Sequence, residues 1–111
     1  MSTHSPQFVL NFATGSVSFP LSHRAAQELQ ATLQGLIQTL RLRASGQLTK
    51  HPITDFPLQE DGIRLEVFCN PNIWPTPHAA QLLVTLKTES IRLSTEADLT
   101  RVMEDLSQYL Q

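Results

Sequence analysis

One cysteine, Cys69, and four histidines, His4, His23, His51 and His78, are the side chains with which this chain could bind a metal or act as a nucleophile. None stands at a spacing that builds a zinc site along the chain. Cys69, His51 and His78 would have to converge in three dimensions to make one. Read locally, Cys69 ends the inward side of a strand, where a thiol serves as a small apolar core residue. His78 sits in a loop, and His23 opens a helix, where the positive dipole end suits a neutral ring. The acid pairs Glu60-Asp61 and Glu104-Asp105 lack the cleft across which two carboxylates do glycosidic chemistry, and they read as solvated charge. Ser16, Ser18 and Ser22 lie outside any nucleophile elbow. The glycines at 15, 35, 46 and 62 are too dispersed to cradle a phosphate or dinucleotide. The sequence thus names no catalytic residue, no metal ligand and no cofactor.

Three features suit contact with another protein. The first is the run Asn70 to His78, where Pro71, Pro75 and Pro77 stiffen the backbone around Ile73 and the only tryptophan, Trp74. A stiff loop loses little entropy on docking, and tryptophan is enriched at interface hot spots. The competing reading is that Trp74 folds back to plug the core. The second is the row Gln27, Gln30, Gln34 and Gln38, an uncharged polar stripe on one helix that could lie against a partner without burying charge. Glutamine is also simply a good helix former. The third is the stretch 47–62, which either clamps a partner or crosses over the sheet. It also frames the alternative to a protein-binding module: a small-molecule site or minor enzyme, with a pocket between sheet and loop that holds His51, Asp55, Arg64 and Cys69.

The elements that must position these residues follow from periodicity. Phe8, Leu10 and Phe12 alternate along a strand, and Val17 and Phe19 share a face of a return strand, which makes a hairpin. Ser22 is a good N-cap, and Ala26, Leu29, Leu33, Leu36, Ile37 and Leu40 form one apolar stripe of a helix over 23–44. Residues 45–62 show no period and read as a long connection. Ile63, Leu65, Val67 and Cys69 alternate in a strand, residues 80–87 make another, and Ile91 to Leu93 a short further one. Ser94 or Thr95 caps the last helix, whose apolar face is Leu99, Val102, Met103, Leu106 and Leu110. The expectation is an α+β fold ordered β-β-α-loop-β-β-(β)-α, with one antiparallel twisted sheet and two helices on one face. Residues 1–6 read as a flexible tail ahead of a single domain over 7–111.

Composition closes off other classes. An apolar fraction of 41% with 16% charged residues fits a globular chain rather than a disordered one. No apolar run is long enough to insert in a membrane. A net charge of −2, with eight basic residues spread along the sequence, argues against nucleic-acid binding. A single cysteine and the absence of a secretory pattern at the N-terminus point to the cytoplasm. The segment Ile91-Arg92-Leu93-Ser94-Thr95-Glu96-Ala97-Asp98-Leu99-Thr100-Arg101, continuing through Glu104-Asp105-Leu106-Ser107-Gln108-Tyr109-Leu110, resembles the C-terminal end of small conserved cyanobacterial proteins. It is similar to the peripheral V subunits of the photosynthetic NADH dehydrogenase-like complex. The resemblance implies an accessory protein on the stromal or cytoplasmic arm, near the entry of electrons from ferredoxin, and assigns no residue a role. Together these readings lead to the expectation of a non-catalytic interaction module, an accessory subunit or assembly factor.

Overall fold

The structure, a computed structural model, describes residues 7–47 and 49–111, so the expected tail over 1–6 lies outside the described residues. Strands β1 (Gln7–Phe12) and β2 (Gly15–Pro20) form an antiparallel hairpin in which Phe8 pairs with Phe19 and Leu10 with Val17. Helix α1 (His23–Ala44) starts where Ser22 accepts a hydrogen bond from the Ala25 amide (3.1 Å), and its buried residues are Ala25, Ala26, Leu29, Leu33, Leu36 and Leu40. Arg41 and Arg43 occupy its last turn, where cations complement the helix dipole.

Next come β3 (Thr54–Glu60), β4 (Ile63–Cys69), a single 3-10 turn over Pro71–Ile73, β5 (Gln81–Lys87), β6 (Arg92–Asp98) and α2 (Leu99–Tyr109). The four strands β3-β4-β5-β6 form an antiparallel meander, separate from the β1–β2 hairpin. The α+β class and the order of strands and helices are those read from the sequence. The strands, however, divide between two sheets rather than joining in one.

Two boundaries differ from expectation for identifiable reasons. The stretch 45–62 is not all connection, because β3 occupies Thr54–Glu60. Its hairpin with β4 turns through Asp61 (φ 53°) and Gly62 (φ 76°), the left-handed pair that an Asp-Gly dipeptide supplies. Pro57 is compatible with β3 because that strand is an edge of the sheet. At the other end, Ser94 and Thr95 do not cap a helix. They belong to β6, in register with Thr85 and Val84, and α2 begins only after Asp98. The first α2 amide, that of Leu99, donates to the Ala80 carbonyl (3.1 Å).

One continuous core joins these layers. The inward residues Phe56, Ile63, Leu65, Val67, Cys69, Leu82, Val84, Leu86 and Ala97 meet both helices and the hairpin's Phe8, Leu10 and Phe19. Phe8 stacks edge-on with Phe19 and with Tyr109 of α2. Polar clips hold the hairpin in place. Buried Asp105 accepts from the Asn11 backbone N–H (3.0 Å) and side-chain amide (2.9 Å), and the Tyr109 hydroxyl donates to the Leu21 carbonyl. No helix among the described residues is long and apolar enough to cross a membrane.

Candidate interaction surface

Both helices take the inner side of the four-stranded sheet and leave its outer side open. The register arranges that outer side in rows across the strands. Gln59, Arg64, Lys87 and Arg92 are neighbours in one row, and Pro57, Glu66, Thr85 and Ser94 in the next. The third row is Asp55, Phe68, Leu83 and Glu96. Phe68 is the one aromatic in these three rows. It remains 36% exposed beside Leu83, which is 47% exposed.

The tryptophan loop abuts this third row. Ile73 is 65% exposed, and it lines a depression of about 250 Å³ together with Trp74, Phe68, Leu83 and Glu96. Trp74 itself is half-buried and packs against the core, so its ring serves both as a plug and as one wall of the depression. Burial pushes the Cys69 thiol up to about 11, and the neighbouring Trp74 side chain opposes part of that rise. A thiol so placed is protonated and inert near neutral pH.

Polar side chains fix the loop's base more firmly than its prolines alone would. The Asn72 side chain accepts from the His51 N–H (2.9 Å) and donates to the His51 carbonyl (2.8 Å), the reciprocal pairing that a strand neighbour would make. Asn70 accepts from the Asn72 backbone N–H (3.0 Å) and side-chain amide (3.0 Å). The Arg43 guanidinium reaches from the end of α1 to the Asn72 carbonyl (3.0 Å) and the Thr49 carbonyl (3.3 Å). The helix end, the 49–51 connection and the tryptophan loop are thereby tied into one mount.

The other candidates separate. Pro75 is exposed and Pro77 half-buried, both beyond Trp74, where Thr76 and Pro77 carbonyls accept from Ala79 and Ala80 amides (3.2 and 3.4 Å). Gln34 and Gln38 are exposed and Gln30 half-buried on α1, a helix whose apolar stripe packs on the opposite side of the sheet from Phe68 and Leu83. The glutamine row is therefore a different surface. The four residues of the alternative pocket do not converge. His51 is held through its backbone by Asn72, and Cys69 points into the core. Asp55 and Arg64 both face outward, but in the third and first rows. The space expected between sheet and loop is occupied by β3, which is part of the sheet. Among the described residues, no three His, Cys, Asp or Glu side chains are grouped to hold a metal ion.

Sequence reasoning missed Leu83 and the alignment of a cationic row on this face. Leu83 was hidden in a run of apolar residues, Leu82 to Val84, in which only the register separates the inward from the outward side chains. The cationic row of Arg64, Lys87 and Arg92 exists only once three strands are aligned. No protein-family model matches the chain, and no curated protein or solved structure matches it.

Proposed function

We propose that this chain is a non-catalytic protein-interaction module, an accessory subunit or assembly factor that docks another protein on the outer side of its four-stranded sheet. The observation that carries the reading is the contiguity of Phe68, Leu83 and Ile73, three exposed apolar side chains around the edge of Trp74. Exposed Val9, Leu42, Ile53 and Ile91 line no part of this depression, whereas these three share it. Contiguous apolar surface on a rigid support is what a partner's side chains displace water from. The stiff mount beneath the loop limits the ordering entropy of association. Asp55 and Glu96 flank the patch as a polar rim.

The C-terminal resemblance supports the accessory role and extends it to a peripheral position on a photosynthetic electron-transport complex, in the cytoplasm. Trp74 supports the core as well as the surface, so Trp74→Ala would not separate binding from folding. Ile73→Asp and Leu83→Asp do, because both side chains are largely outside the core. The test captures partners of the tagged full chain from its own cells, with these two variants and Gln34→Glu as parallel baits. The expected result is a stoichiometric protein retained by wild type and Gln34→Glu and lost from both patch variants, whose circular dichroism stays native. With that partner in hand, each patch substitution weakens binding by about 2 kcal/mol or more, as at a hot spot. A partner held equally by Leu83→Asp and Ile73→Asp overturns the reading.

A further inference from the structure

The first row of the outer sheet face carries three cations on three successive strands: Arg64 on β4 pairs with Lys87 on β5, which pairs with Arg92 on β6. Directly opposed side chains of like charge destabilise a sheet. Among the described residues, none of the three makes an ion pair or a side-chain hydrogen bond; the two ion pairs present are Arg24–Glu28 and Arg101–Asp105. The three cations surround a depression of about 280 Å³ whose remaining walls are Glu66 and Thr85. Three positive side chains and one carboxylate leave this hollow with a local charge of +2, on a chain whose net charge is −2.

The geometry points to a phosphate-binding site, with Arg64, Lys87 and Arg92 as its cationic walls and the Thr85 hydroxyl as a further donor. The class of ligand follows from charge and shape. A phosphate monoester is a near-dianion at neutral pH, which matches the hollow's charge, and guanidinium forks fit its oxygens in bidentate fashion. A single carboxylate would leave one charge unmatched. An extended polyanion needs a basic track, and none continues from here. The next row offers only Glu66 as a charged group, and the third is flanked by Asp55 and Glu96. The site is thus built for one compact anionic group. It rests on residues other than the Phe68–Leu83–Ile73 patch and stands or falls separately from the docking reading.

The test titrates the isotopically labelled full chain with inorganic phosphate and with glycerol 3-phosphate, against chloride at matched ionic strength, and follows the backbone amides by NMR. A second arm measures flotation with phosphatidylcholine vesicles with and without phosphatidic acid. The expected result is saturable shifts centred on Arg64, Glu66, Thr85, Lys87 and Arg92 with the phosphates but not with chloride. The response is expected to weaken roughly ten-fold or more in the R64Q/R92Q variant, as loss of charge-assisted hydrogen bonds requires, while its near-ultraviolet spectrum stays native. Saturation with the soluble phosphates assigns a soluble ligand. Flotation that needs phosphatidic acid and both arginines, without that saturation, assigns a lipid headgroup. Absence of saturation and flotation overturns the site, as does a response that R64Q/R92Q leaves unchanged.

Discussion

Strand β4 places Ile63, Leu65, Val67 and Cys69 on one side of the sheet and Arg64, Glu66 and Phe68 on the other. The first set is buried under both helices; the second is exposed. Both sets come from one alternating heptapeptide, yet they answer to different constraints. The inner side must fill space at close to crystal density, so its residues are interchangeable only at the cost of cavities. The outer side has no such obligation. What it carries, a cationic row at one end and an apolar patch with acidic flanks nearer the other, is surplus to folding. The like-charged row even opposes it. Side chains that do nothing for the core are the ones to suspect of external business.

The sharpest way to break this contrast uses adjacent residues. Leu82 is fully buried and Leu83 is 47% exposed, on opposite sides of β5. Leu82→Ala is expected to destabilise the protein by about 2–5 kcal/mol, the range for a buried leucine that leaves a cavity. Leu83→Ala should change stability by no more than about 0.5 kcal/mol, as at a surface position. Urea denaturation of the two variants measures both. Comparable losses would mean that something of the folded chain covers the outer side, and the distinction between the two faces would fail.

How much of this was legible beforehand depends on whether a feature is local. The alternation in β4 and the apolar stripe of α1 are local periodicities, and both elements stand where the sequence puts them. Strand β3 was obscured because Asp55 and Pro57 are poor strand formers, tolerated at an edge. Its signal was the Asp61-Gly62 turn rather than the strand itself. Ser94 and Thr95 have side chains that cap helices, but the β5–β6 ladder outcompeted that local preference and α2 started later. The row of Arg64, Lys87 and Arg92 is wholly non-local. Nothing in the composition distinguishes those three from the other basic residues until the antiparallel register brings them side by side.

A second expectation probes the inner side by pH. Burial raises the Cys69 thiol from an ordinary value of 9.0 to about 11. The folded state therefore keeps its proton where the unfolded chain has released it. The stability this contributes is whole below about pH 9 and is lost as pH rises through the folded value. Unfolding free energy should fall above about pH 9 with a limiting slope of about 1.4 kcal/mol per pH unit from this group. Burial, and then the negative charge of Glu60, also push the Tyr109 hydroxyl above its usual value, so tyrosine ionisation adds to the decline at higher pH. Urea unfolding of wild type and Cys69→Ala between about pH 8 and pH 10 isolates the thiol. The variant should start less stable and lose less across that window. Parallel curves would show that the inner side of β4 is wetter than its packing requires.

The smallest expected effect carries the comparison to the helix layer, where α1 also has a buried stripe and a solvent side. Gly35 lies on the solvent side of α1, to one flank of the glutamine row, and a methyl group added there would meet nothing within 4 Å. Glycine inside a helix costs about 1 kcal/mol relative to alanine, because the flexible backbone loses more entropy on folding. Gly35→Ala should therefore stabilise the free chain by up to about 1 kcal/mol. Thermal unfolding in the absence of partners reads that gain. Gln34→Glu, on the row itself, tests whether the glutamine row is a docking surface. A partner seated on the row would have to desolvate the new carboxylate, and the variant would bind it more weakly. If docking uses the sheet face, Gln34→Glu leaves partner affinity unchanged, since α1 and Phe68 lie on opposite sides of the sheet, and Gly35→Ala gains stability alone.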